Sequence, residues 1–256
     1  MSPIANLFWN APERRLRAGW RVLVFLVMLL VVAAVDGRVR AGLAGRLSDL
    51  YEDLVRALVF ALLIAAALSL ASRVLDHRRM SDYGFHFSRK WWADLGFGLV
   101  LGALLLFGVL AVELAVGWVN VTGSFAPSPG QPFVATILVG VVAAAAVAFG
   151  EEASYRGYPI KNLAEGVARP RWGIVIAVVI PAVFFFGLSH ATNENATWLT
   201  TFNIVIFGLL FGTGYVLTGE LALPIGPAFW VGFCAGIRVR RRGRGKKIRV
   251  GARPRR

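Results

Sequence analysis

The sequence predicts an all-α protein, a polytopic transmembrane helix bundle of about seven spans. Of its 256 residues, 57% are hydrophobic and only 16% are charged, and the mean hydropathy is +0.64, more apolar than an ordinary soluble domain. Windows long enough for a helix to cross the hydrocarbon core recur along the chain. They lack the alternation of barrel strands, and backbone groups in lipid must be paired within their own segment. Helices are therefore expected throughout.

The predicted spans lie near residues 19–35, 55–71, 95–116, 134–149, 173–188, 199–217 and 221–237. Residues 1–18 are predicted to form a cytoplasmic N-terminal arm, 19–237 the bundle and 238–256 a basic tail. The first span is expected to stay as an uncleaved anchor, because arginines precede it and Val32–Gly37 is a poor cleavage site. Cys234 is the only cysteine, which excludes an internal disulfide and a cysteine-rich metal site.

Basic residues predict the orientation of the bundle. The N-terminal arm and the loops on its side contain far more arginine and lysine than the alternate loops. Because basic residues in short loops stay on the cytoplasmic side, we expect a multi-pass protein of the cell membrane with a cytoplasmic N-terminus.

The same alternation puts the C-terminus outside, yet Arg238–Arg256 is densely basic. Three interpretations stay open for this tail. It binds phosphates of lipid head groups or nucleic acid, it is a disordered like-charge block, or it is the product of a displaced reading frame. Membrane lipids are expected partners of the chain, and nucleic acid is not.

Two adjacent carboxylates, Glu151 and Glu152, follow the apolar run Val139–Phe149. Residues four apart share a helix face, so Glu152 can pair with Arg156 while Glu151 points about 100° away. Desolvation at the edge of hydrocarbon disfavours the charged form of an unpaired glutamate, which suits a general base. The alternative is that both glutamates lie in water at the cytoplasmic interface.

A histidine ends the apolar run "FFFGLSH", which places His190 at the end of its span. There it could bind a metal, donate to an oxyanion or cap the helix at the interface. Pro181 in the same span removes a ladder hydrogen bond and predicts a kink. Glu113, near the outer end of the third span, is a weaker candidate, with an interfacial carboxylate as the alternative.

Three segments carry a family resemblance: "EEASYRG" at Glu151–Gly157, "FFFGLSH" ending at His190, and "GLLFGTGYVLTGELALPIG" at Gly208–Gly226. In this order they resemble the CAAX protease and bacteriocin-processing family of intramembrane peptidases, also called the Abi family, over about residues 134–226. The resemblance implies a helical bundle with its active site inside the membrane and a peptide or protein substrate.

By this resemblance Glu151 activates the attacking water, and Glu152 pairs with Arg156 to orient the site. His190 polarises the scissile carbonyl or ligates a metal, with Glu151 as a second metal ligand. A zinc ion and a metal-free glutamate mechanism both stay open.

The third motif of the family is missing. Its pattern continues with a histidine and, four residues later, an asparagine, where this chain has Ala228 and Gly232. A change of reading frame just after Gly226 would explain both this loss and the basic tail. The main hypothesis is an intramembrane endopeptidase, either active or inactive as written. The alternatives are a non-catalytic peptide-binding or bacteriocin-immunity protein, and a small transporter that uses Glu113 and Glu151 as proton-coupled carboxylates.

Simple hydropathy places Glu151 at the cytoplasmic end of its span and His190 at the outer end of the next. For the two to meet, the fourth helix must continue through Tyr158, and His190 must be drawn inward.

Overall fold

The computed structural model describes residues 4–118, 130–167, 170–191, 193 and 196–236. The predicted basic tail, residues 238–256, lies outside the described residues, and so do the interpretations attached to it. Within the described residues the chain is a bundle of helices, and its only strands are two residues long. The predicted all-α polytopic fold is confirmed.

The elements follow one another in a simple order. The N-terminal arm contains a short helix and an antiparallel pair, α1 Ala5–Phe8, β1 Trp9–Asn10 and β2 Arg15–Leu16. The first three long helices are α2 Ala18–Leu43, α3 Asp49–Val74 and α4 Arg89–Ala115. The rest are α5 Phe133–Glu152, α6 Tyr158–Gly166, α7 Pro170–Ile180, α8 Leu188–His190, α9 Trp198–Thr218 and α10 Ala222–Gly236.

Six of the predicted spans are matched by helices long and apolar enough to cross a membrane. In the described part of the chain they are Ala18–Leu43, Asp49–Val74, Arg89–Ala115, Phe133–Gly166, Arg171–His190 and Trp198–Thr218. The seventh, α10, has 15 described residues, or about 22 Å of helix at 1.5 Å per residue. That is shorter than the roughly 30 Å hydrocarbon core.

The fourth span is one helix from Phe133 to Gly166, 34 residues long. A π-helical turn, Ala153–Gly157, joins α5 to α6. Pro159 explains its place, because proline has no N–H to donate to the carbonyl four residues earlier, and the ladder widens just before it. The helix therefore continues through the buried Tyr158, as the meeting of Glu151 and His190 required. Glu151 lies near the middle of this helix.

The fifth span contains a second π-helical segment. Pro181 begins it and Gly187 ends it, and α8 then continues to His190. The kink predicted at Pro181 thus takes the form of a widened stretch within a continuous helix. π-Bulges often lie at functional sites. Both in this chain adjoin the candidate residues.

Helix α10 packs closely on α4 through small residues. A Cβ atom added at Gly102 would meet the backbone of Pro227, and one at Gly98 would meet the backbone of Leu223. Small residues allow helix backbones in membranes to approach in this way. The indole Nε1 of Trp230 also donates to a backbone carbonyl of α4 at 2.8 Å. These contacts fix which side of α10 faces the interior.

A buried polar network joins helices at the end of the bundle that carries the N-terminal arm, called here the arm end. The guanidinium of Arg21 donates to Asp76 Oδ1 at 2.6 Å, and the amide of Asn162 donates to Oδ2 at 2.9 Å. The hydroxyl of Tyr83 also donates to Oδ2. Burial, with the bond to Asp76, raises the pKa of Tyr83 above its usual range, so the phenol stays protonated. The network ties α2 and α6 to the loop after α3.

The close packing of α4 against α10 predicts different effects of alanine at two glycines of α4. Gly102→Ala should lower the free energy of unfolding by about 1–3 kcal/mol, because its Cβ would clash with the backbone of Pro227. Gly108→Ala is the matched control, since nothing lies within 4 Å of the added Cβ. Thermal unfolding of the purified protein in detergent measures both. Equal melting temperatures for the two variants would contradict the packing.

Candidate active site

Glu151 and His190 lie together on the wall of a partly open cavity of about 640 Å³. Glu151 Oε1 is 3.9 Å from His190 Nε2, and the side chains are 26% and 22% exposed. The remaining wall is mostly apolar, with residues from α3, α5, α9 and α10. A partly exposed carboxylate thus faces an imidazole in a mostly apolar cavity.

The neighbouring carboxylate, Glu152, has a different environment. Its side chain is completely buried and accepts a hydrogen bond from Arg156 Nη1 at 2.9 Å, one helical turn away. The predicted pairing of Glu152 with Arg156 is therefore present. One carboxylate is neutralised in the interior, and the other stays open to the cavity.

Phe186 connects this ion pair to the histidine. The Arg156 guanidinium lies 4.0 Å from the centroid of the Phe186 ring, within the range of a cation–π contact. The same ring packs edge-on against the imidazole of His190, with 4.5 Å between the ring centroids. Sequence reasoning used Phe186 only as part of a motif. Its four-residue spacing from His190, which puts both on one helix face, was the available signal.

The backbone fixes the orientation and the tautomer of His190. Its Nδ1 lies 2.8 Å from the carbonyl oxygen of Phe186. Because a carbonyl only accepts, Nδ1 carries the proton and donates it to this bond. Nε2 is left to face Glu151.

Two further polar side chains adjoin the histidine, and sequence reasoning missed both. Ser189 Oγ is 3.2 Å from His190 Nδ1 and also donates to the Phe186 carbonyl at 2.9 Å. Tyr155 is hydrogen-bonded to Ser189 and packs edge-on against the Phe186 ring at 5.3 Å. Tyr155 lies four residues after Glu151, so helix periodicity was the signal that could have found it.

The positions of the missing third motif line the same cavity. Ala228 and Gly232, one turn apart on α10, are among the residues of its wall. The atoms nearest to a Cβ added at Gly232 belong to Ala144, at 3.9 Å, which is ordinary contact. The two positions of the third motif therefore lie on the cavity wall, but neither side chain can donate or accept a hydrogen bond.

An ion pair lies on another part of the cavity wall. Arg56 of α3 donates to Asp36 of α2 at 2.8 Å, and Asp53 lines the wall beside them. Charged residues inside membrane spans are the signal that could have found this pair. Glu113 is not among the residues that line the cavity.

The donors present do not form a zinc site. Among the described residues, no group of three or more histidine, cysteine, aspartate and glutamate side chains could hold a metal ion. Catalytic zinc takes three protein ligands, and Glu151 with His190 supplies two.

Comparison with protein families finds one match. Residues 132–232 match the family model described as type II CAAX prenyl endopeptidase, Rce1-like. The matched segment contains Glu151, Arg156 and His190, and it confirms the resemblance carried by the three motifs. No curated protein and no solved structure gives a significant match.

The buried pair predicts a strong dependence of stability on Arg156. Arg156→Met should cost about 3–5 kcal/mol, because it leaves Glu152 buried without a counter-charge. Adding Glu152→Gln should recover a large part of that loss. The control is Arg56→Met, whose pair with Asp36 has both side chains 26% exposed. It should cost at most about 1 kcal/mol. Denaturant unfolding in detergent measures all three, and equal losses for Arg156→Met and Arg56→Met would contradict this account.

Proposed function

Because residues 132–232 match the Rce1-like family model, we propose that this chain is an intramembrane peptidase that hydrolyses peptide bonds with a water activated by Glu151. One observation carries the proposal. Glu151 and His190 come from different helices, lie 3.9 Å apart and share an apolar cavity. Two groups of this kind, in a mostly apolar cavity, suit acid–base hydrolysis.

Glu151 acts as the general base. It takes a proton from a water in the cavity as the oxygen of that water attacks the carbonyl carbon of the scissile bond. The tetrahedral intermediate then breaks its C–N bond, and Glu151 returns the proton to the leaving amine. The products are a carboxylic acid and an amine, and the base is restored.

His190 acts on the oxygen of the same carbonyl. Because Nδ1 is held by the Phe186 carbonyl, Nε2 is the nitrogen that can reach a substrate. In the imidazolium form Nε2 carries a proton and donates to the developing oxyanion, beside the Glu151 carboxylate. Glu152, Arg156 and Phe186 position these two groups without contacting substrate, through the ion pair and the cation–π contact.

The apolar residues at positions 228 and 232 lower the expected rate of peptide hydrolysis. One oxyanion donor is worth about 10²–10³ in rate, so a wall without such a side chain there should give slow turnover. The same observation favours a second candidate, a non-catalytic membrane protein that binds peptides, including an immunity factor. Glu113 does not line the cavity with Glu151, so the two carboxylates do not share the path that the transporter hypothesis requires.

The substrate is proposed to be a membrane peptide or protein. The chain is proposed to lie in the cell membrane with the arm end in the cytoplasm. Labelling of an Arg46→Cys, Cys234→Ser variant by membrane-impermeant maleimide tests this orientation, because the exposed loop after α2 then lies on the outer side. Labelling in intact cells is expected, and labelling only after lysis would contradict the orientation.

Hydrolysis of a fluorogenic peptide by the full chain in lipid vesicles tests the proposed reaction. Glu151→Gln should abolish the slow hydrolysis and leave peptide binding unchanged within about twofold, because the amide keeps the shape of the side chain but cannot take the proton. Glu113→Gln is the matched control and should hydrolyse at the rate of the unchanged chain.

A second variant separates a slow peptidase from a binding protein. Ala228→His with Gly232→Asn places polar groups on the cavity wall, and hydrolysis should rise roughly 10²-fold. The rise should vanish when Glu151→Gln is added. Peptide binding without hydrolysis in both the unchanged chain and the double variant would reject the peptidase in favour of the binding protein.

A further inference from the structure

A second pocket lies at the arm end, apart from the cavity of Glu151 and His190. Its volume is about 760 Å³, and it lies where the N-terminal arm folds over the first turn of α2. The residues of its wall that matter here are Glu13, Arg17, Gly19, Arg21, Leu23 and Glu165. Neither the family match, which begins at residue 132, nor the proposed reaction involves the N-terminal arm.

Contacts within the arm hold the pocket in shape. The β1–β2 pair turns the chain back toward α2. The indole of Trp20 donates to the carbonyl of Leu7 at 3.1 Å, and its ring packs on Phe8 with 4.7 Å between centroids. Arg15 Nη1 reaches the carbonyl of Asp76 at 3.3 Å. The pocket is therefore formed by an arm attached at several points.

The charges around the pocket leave one cation without a carboxylate. Three arginines are paired with carboxylates, as Arg15–Glu13, Arg21–Asp76 and Arg78–Glu165. Among the described residues no carboxylate forms an ion pair with Arg17, whose Nε donates to the carbonyl of Asn6 at 2.6 Å. The pocket wall itself has two arginines and two glutamates, and Arg17 is its one cation outside the ion pairs found among the described residues.

Arg21, which lines the pocket, has one donor without a partner. Its side chain is 2% exposed and pairs with Asp76 through Nη1, but among the described residues its Nε has no acceptor. A buried donor left unsatisfied costs roughly 1–3 kcal/mol, so an acceptor is expected nearby. Backbone N–H groups in the first turn of α2 are further donors. The side chain of Arg17, the N-cap residue, makes no capping bond to them. A helix N-terminus with free N–H groups favours anions.

The pocket continues into a surface suited to acyl chains. Leu23 belongs to the pocket wall, and Leu23, Val27 and Leu30 follow one another on one face of α2. Their exposed fractions are 48%, 53% and 70%. A free phosphate would not use this stripe, whereas a lipid held by its phosphate would lay its chains along it.

We propose that this pocket binds the phosphodiester head group of an anionic membrane lipid. The phosphate meets Arg17, Arg21 and the N-terminus of α2, and the acyl chains run along Leu23, Val27 and Leu30. The site is independent of the proposed peptidase reaction.

Native mass spectrometry of the full chain in detergent tests the site with phosphatidylglycerol as the probe. Arg17→Gln should weaken binding about fivefold, the effect of one basic residue near a charged surface. Gly19→Asp should weaken it at least as much, because a carboxylate at the helix N-terminus repels the phosphate. The open space at Gly19 and the helix dipole both favour this residue, so the variant should fold. Arg14→Gln is the matched control, an exposed arginine of the same arm outside the pocket wall, and should bind like the unchanged chain.

Two further ligands separate lipid from phosphate. Diacylglycerol with the same acyl chains should not be retained, and inorganic phosphate should not displace phosphatidylglycerol at millimolar concentration. Equal weakening by Arg14→Gln and Arg17→Gln would overturn the proposal, because binding would then follow overall charge. Equal retention of diacylglycerol, or displacement by inorganic phosphate, would overturn it as a lipid-phosphate site.

Discussion

The buried ion pair of Glu152 and Arg156 is the constraint around which the central helices are arranged. Both side chains are almost completely removed from solvent, at 0% and 1% exposure. Two charges in such surroundings are kept only if they are paired and enclosed. The enclosure comes from Phe186 and Phe211, whose rings lie 4.0 and 5.4 Å from the guanidinium carbon. The pair thereby links the fourth span to the fifth and sixth, and the candidate histidine rests on the same phenylalanine.

The two π-helical segments give this arrangement its local geometry. Each lies beside a proline that cannot take part in the regular ladder, Pro159 after the first and Pro181 at the start of the second. The network around Asp76 holds the far side of the first segment through Asn162 of α6. The turn between Glu152 and α6 is therefore fixed at both ends. Glu151 can face the cavity while its neighbour is buried.

Helix α10 has the position expected for the third motif but not its polar side chains. Its packing on α4 through Gly98 and Gly102 directs positions 228 and 232 to the cavity wall, where a polar pair would complete the site. The side chains there are those of alanine and glycine. The positions of the third motif thus reach the cavity wall without polar side chains.

The sequence by itself determined the membrane class, the order of the spans, the pairing of Glu152 with Arg156 and the resemblance to a peptidase family, because each rests on local composition or on spacing along the chain. Hydropathy placed Glu151 and His190 at opposite ends of their spans. It gives no information on the π turn through which one helix continues past Tyr158 to Gly166. The sequence also missed the Asp36–Arg56 pair on the cavity wall and the pocket beside Arg17 and Arg21. Only the tertiary structure decided these features, because each depends on side chains that different elements bring together.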